Sequence, residues 1–108
     1  MTKNDLKLSL SEKITFVSML TNYFQAEIPV SEALSLVEQD CSNRKIKYLA
    51  HSLTSAIAKG NSLYKALDKF HDTFGDIFMA IARAGEESGE IDKNWKRLLT
   101  ILESEKQI

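Results

Sequence analysis

Along this chain, stretches in which apolar residues recur every third or fourth position alternate with short polar breaks. That spacing marks helices buried along one face. The first stretch puts Ile14, Val17, Leu20 (or Met19) and Phe24 on one stripe, broadened by Phe16 and Tyr23. Ser9 and Glu12 have capping-box spacing, with Ser11 as a competing N-cap, so a helix is predicted to about Gln25 or Ala26. Ile28-Pro29 ends it, because proline disfavours the α conformation in the residue before it and suits the first turn of a new helix. A short second helix, to Gln39, turns Val30, Ala33, Leu34 and Val37 inward. After a turn over Asp40 to Asn43, Asn43 caps a third helix, Arg44 to Lys59. Its stripe of Ile46, Leu49, Ala50, Leu53, Ala56 and Ile57 is the most regular of all, and Gly60 stands where a left-handed C-terminal residue belongs.

A fourth helix over Leu63 to Lys69, capped by Asn61 or Ser62, presents Leu63, Ala66, Leu67 and Phe70. His71-Asp72-Thr73 reads as a link to a fifth helix whose face is Phe74, Ile77, Phe78, Ile81, Ala82 and Gly85, predicted to be nearly central. Gly85 and Gly89 bracket Glu86, Glu87 and Ser88, and Gly89 is the expected stop. Asp92 is placed to cap a sixth helix facing inward with Trp95, Leu98, Leu99 and Leu102. Short connections force sequential helices to run antiparallel. The expected fold is therefore an all-α, six-helix antiparallel bundle in three hairpin-like pairs. It spans residues 11–105, behind a flexible leader (1–10) and before a tail (106–108). VSEAL at 30–34 and LYKAL at 63–67 lie 33 residues apart, which suggests a tetratricopeptide-like array. The chain ends before the third copy that such an array needs.

Composition narrows the function classes. At 108 residues, with one proline and four glycines, there is room for one core and few turns. Fourteen Lys and Arg against fifteen Asp and Glu leave a net charge of −1, which gives no drive towards nucleic acid. No apolar run approaches the ~18 residues of a membrane span, and the N-terminus lacks a signal peptide's apolar core. Cys41 stands alone, so no internal disulfide forms, and it reads as a small filler at a helix end. His51, beside the third helix's stripe and without a partner at i+4, does not support zinc.

The charged turn invites chemistry. Glu86 and Glu90, four apart, share a face if the helix continues, yet no base or nucleophile accompanies them. Structural roles fit better: Glu86 or Glu87 pairing with Arg83, or accepting N–H groups at the start of the sixth helix. Glu86, Glu87, Glu90 and Asp92 are oxygen ligands that a divalent cation can use, although the EF-hand pattern is absent. Arg44, Lys45 and Lys47 crowd the third helix's first turn against its dipole, as a solvated face or as a patch for an acidic partner or lipid headgroups. Trp95, Tyr48, Tyr64 and Phe78 are core or binding aromatics.

Three blocks carry a family resemblance. EIPVSEAL at 27–34 is similar to a Gly-hydrophobic-Pro-hydrophobic-x-x-Ala-Leu pattern, matched by Pro29, Ala33 and Leu34. KGNSLYKAL at 59–67 resembles Gly-x-Ser-Leu-x-x-Ala-Leu through Gly60, Ser62, Leu63, Ala66 and Leu67. RAGEESGEID at 83–92 resembles Gly-Glu-x-Ser-Gly-x-Leu through Gly85, Glu86, Ser88 and Gly89. In this order and spacing the blocks resemble the cytoplasmic domain of the type II secretion F protein and of the type IV pilus assembly platform protein. Glu27 departs from the family's glycine and is expected to change the turn there; Gly75 stands where a proline often follows the phenylalanine, and Ile91 where leucine is usual.

The resemblance implies a non-enzymatic scaffold without cofactor on the cytoplasmic face of the bacterial inner membrane. It implies two such domains alternating with membrane helices outside this chain, of which this would be the first. Implied partners are a hexameric assembly ATPase, bitopic assembly proteins and a second copy, the ATPase being coupled to a pilin or pseudopilin fibre. The alternative is a soluble helical adaptor.

Overall fold

The computed structural model describes residues 6–106. They form α1 (Leu10–Gln25), α2 (Val30–Asp40), α3 (Arg44–Ala58), α4 (Leu63–Leu67), α5 (Asp76–Ser88) and α6 (Ile91–Glu105). Between α4 and α5 the chain continues as a 3-10 turn (Asp68–Phe70) and a single α turn (His71–Phe74). The segment read as a link is thus helical. The true break is Gly75, whose φ of +89° lies outside proline's fixed range near −65°.

The helices begin where the caps place them. Ser9 Oγ accepts the Glu12 N–H at 3.1 Å, and Glu12 returns a carboxylate oxygen to the Ser9 N–H at 2.9 Å. Its other oxygen accepts from Asn43 Nδ2 at 2.8 Å, while Asn43 Oδ1 caps the N–H groups of Lys45 and Ile46. One carboxylate thereby ties the starts of α1 and α3 together. The Ser9 N–H, then the Asn43 amide, hold the Glu12 carboxyl below the usual carboxylate range. Of the leader, residues 1–5 lie outside the described residues. Leu6 and Leu8 are buried, and the Leu6 carbonyl accepts from Thr73 Oγ1 at 2.7 Å.

Packing places α6 between α1 and α5, pairs α2 with α3, and sets α4 against α3 and α5. The third helical pair therefore folds back onto the first, closing a bundle rather than extending an array. Trp95 of α6 is completely buried and meets Phe16, Phe24 and Phe78 edge-on, at 6.2, 5.6 and 5.8 Å between ring centroids. Thr21 of α1, a polar residue inside the core, donates to the Trp95 carbonyl at 3.2 Å. The centre belongs to α6, not to α5 as the pattern predicts. On α5 the buried residues are Phe78, Met79, Ala82 and Gly85, whereas Ile77 is 73% exposed. The fifth helix is rotated from its apolar stripe because α4 and α6 divide its inner face between them.

Candidate functional site

Each motif block proves to be a helix-ending turn followed by a new helix start. After α3, the Gly60 N–H bonds the Ile57 carbonyl at 2.9 Å and the Asn61 N–H the Ala56 carbonyl at 3.1 Å, with Gly60 at φ +100°. These are the paired bonds of a Schellman closure. The same pair closes α1, from Glu27 to Phe24 and from Ile28 to Tyr23, both at 3.0 Å. Here the left-handed position is Glu27 (φ +62°), the only non-glycine with positive φ among the described residues. Glutamate there closes the helix by the same paired bonds that Gly60 makes after α3. It adopts the glycine conformation, because the two backbone bonds outweigh the ~1–2 kcal/mol that a Cβ costs there. The third closure sends the Glu90 N–H to the Gly85 carbonyl at 3.0 Å, with Gly89 at φ +76°.

The third block also binds the second. Glu86 Oε2 accepts the Leu63 N–H and Oε1 the Tyr64 N–H, each at 2.9 Å, while Ser62 Oγ accepts from Lys65. Sequence reasoning assigned such a role to Glu86 at the start of the sixth helix. The carboxylate instead reaches α4, 23 residues away, because Gly85 lets α5 approach α6 closely and leaves Glu86 facing the other neighbour. A Cβ on Gly85 would stand 2.7 Å from Asn94 Cβ. Asp92 does not cap α6: Glu90 holds that position without a side-chain cap bond, and Asp92 falls in the first turn. Ala33 and Leu34 are buried in the core, whereas Pro29, at the N-cap of α2, stands where the first block meets the third, in a groove of about 300 Å³ shared with Phe24, Glu27, Ile28, Val30, Ile91 and Asp92.

The acidic residues do not converge. Glu86 is engaged with α4, Glu87 pairs with Arg83 Nε at 2.8 Å, and Glu90 accepts from Lys93 at 3.4 Å. Glu86 and Glu90 share no helical face, since α5 ends at Ser88 and Gly89 reverses the chain. Among the described residues no group of three His, Cys, Asp or Glu is arranged to hold a metal ion.

The basic patch is partly spent inside the fold. Lys45 Nζ donates to the Lys7 carbonyl at 3.0 Å, and Lys47 Nζ to the Glu38 carbonyl near the end of α2 at 2.8 Å. Arg44 is exposed, without an ion pair among the described residues. His51 is exposed beside Glu38, and Cys41 is buried at the end of α2. Of the aromatics, Trp95 and Phe78 are core, whereas Tyr48 and Tyr64 are half-buried, Tyr64 lying beneath the Arg83 guanidinium at 5.3 Å.

Sequence reasoning missed one feature: an open apolar groove between α5 and α6, lined by Phe74, Ile77, Phe78, Ile81, Leu98, Ile101, Leu102 and Glu105. No signal in the pattern separates Ile77, on its rim, from a core residue.

Comparison with known proteins agrees with the blocks. The family model described as type II secretion system (T2SS), protein F matches residues 16–108. Type II secretion system protein F of Aeromonas hydrophila is 30% identical over 90 residues, 83% of this chain and 23% of its own length. Type IV pilus assembly protein PilC of Thermus thermophilus is 28% identical over 99 residues, 92% of this chain and 24% of its own. Type II secretion system protein F of Pseudomonas aeruginosa is 24% identical over 100 residues, 93% of this chain and 25% of its own. The chain spans about a quarter of the length of these relatives.

Proposed function

Because the chain belongs to the type II secretion system protein F family, we propose that it is a non-enzymatic scaffold domain of a secretion or pilus-assembly platform. In this reading it lies on the cytoplasmic face of the bacterial inner membrane and couples an assembly ATPase to the fibre-building machinery. The observation that carries the reading is the family match over residues 16–108, in which all three motif blocks fall. The geometry supports it: the Glu86 carboxylate seats α4 and the motif glycines close helices, so the motif residues are spent on holding the fold. No helix among the described residues is long and apolar enough to cross a membrane, so the reading attaches the membrane to other segments.

The test is calorimetric titration of the chain with an assembly ATPase of a type II secretion or type IV pilus system from the same organism. Saturable binding weakened by Arg44→Glu, with an unchanged melting temperature, supports the coupling role and puts the contact at the start of α3. Arg44 is the suitable probe because reversing Lys45 or Lys47 also breaks a bond inside the fold. Absence of binding by the folded chain overturns ATPase coupling through this domain.

A further inference from the structure

We propose that the groove between α5 and the C-terminal half of α6 is a docking site for an amphipathic helix of a partner protein, one that carries a large apolar anchor with a basic side chain beside it. The inference rests on the chain being a binding module. Phe78, Leu98 and Leu102 form the floor of the groove, and Ile77, Ile81 and Ile101 its walls. Its volume is about 120 Å³. A cavity of ~150 Å³ holds a benzene molecule, so this smaller groove takes one branched aliphatic side chain. Such single-anchor pockets concentrate binding energy at interfaces.

Ile77 is the exposed large hydrophobic residue among those described, and Ala80 and Ala84 continue its stripe along the outer face of α5. A furrow between two antiparallel helices accepts a third helix by ridge-into-groove packing. Charge selects the occupant. Glu105 is the charged residue in the lining and has no ion pair among the described residues. It is also the last residue of α6, where the helix dipole adds further negative potential. Among the described residues no basic side chain lines the groove; Lys106, the next residue, is not part of it. A second copy docking groove to groove would therefore leave Glu105 without a counter-charge, whereas a basic partner helix supplies one.

The experiment titrates the chain with two designed helical peptides that share one leucine anchor and differ only in flanking lysines or glutamates. Trp95, the single tryptophan, is the reporter, because Phe78 of the groove floor meets it edge-on at 5.8 Å. The lysine peptide is expected to bind saturably and about two- to fivefold more tightly than its twin, the range of an exposed ion pair. Glu105→Lys should reverse that preference, and Ile77→Asp should abolish both bindings without moving the melting temperature. Equal affinity for the twins, or no binding by either, overturns the proposal. So does a sedimenting dimer that Ile77→Asp dissociates, which would give the face to a second copy. If the peptides fail while ATPase binding persists, this inference fails alone; if the ATPase fails while the lysine peptide binds, only the coupling role falls.

Discussion

Glu27 and Gly85 show how much a single Cβ decides. Glu27 holds a left-handed conformation at the end of α1, although only glycine adopts it without steric cost. Glu27→Gly should raise stability by about 0.5–1 kcal/mol, the relief of Cβ crowding less the added freedom of glycine in the unfolded chain. Chemical denaturation measures it, and a loss of stability would mean that the glutamate side chain contributes a contact. Gly85 is the opposite case, since a Cβ there would meet Asn94 Cβ at 2.7 Å. Gly85→Val should therefore cost about 1–3 kcal/mol, despite leaving a poor helix former behind. In a double-mutant cycle, Asn94→Gly should recover part of the loss caused by Gly85→Ala, and purely additive effects would refute the close contact.

At the scale of elements, α4 has five residues, too few to stand without help. Its first N–H groups are satisfied by Glu86 and Ser62. Glu86→Ala should destabilise the protein by about 1–2 kcal/mol and raise amide exchange first at Leu63 and Tyr64. Uniform exchange across the bundle would contradict a local seat. The joint between α4 and α5 is held differently. His71 Nε2 bonds Asp76 across Gly75, and Nδ1 lies 3.6 Å from Asp68. The Asp76 hydrogen bond, foremost, raises the histidine pKa. A pKa raised on folding contributes stability that is complete below the unfolded value, ~6.5, and is lost as pH rises through the higher folded value. Stability measured from about pH 5.5 to about pH 8.5 should therefore fall in its upper part, and His71→Gln should flatten that slope. A slope that survives the substitution would assign it to another group.

For the whole molecule, α6 is the keystone because it contacts both α1 and α5 through Trp95. Trp95→Ala should cost about 3–5 kcal/mol and lower the stability of all helices together in one transition. Early loss of α5 and α6 with α1 to α3 intact would divide the bundle into two folding units instead.

The amino-acid sequence by itself determined the helices, the cap at Asn43, the stops at Gly60 and Gly89, and two candidates each for the caps of α1 and α4, of which the structure takes Ser9 over Ser11 and Ser62 over Asn61. These depend on neighbours within a turn or two along the chain, which periodicity and capping chemistry register directly. The three motif blocks were legible for the same reason, and so was the family. Tertiary structure decided which way α5 turns, so that Ile77 lies outside and Met79 inside, and which helix start receives the Glu86 carboxylate. It also decided that Lys45 and Lys47 are spent on backbone carbonyls of other elements. Each of these is a choice between partners distant in sequence. Several faces of a helix are apolar enough to be buried, and only the packing of α4 and α6 around α5 leaves one of them to solvent.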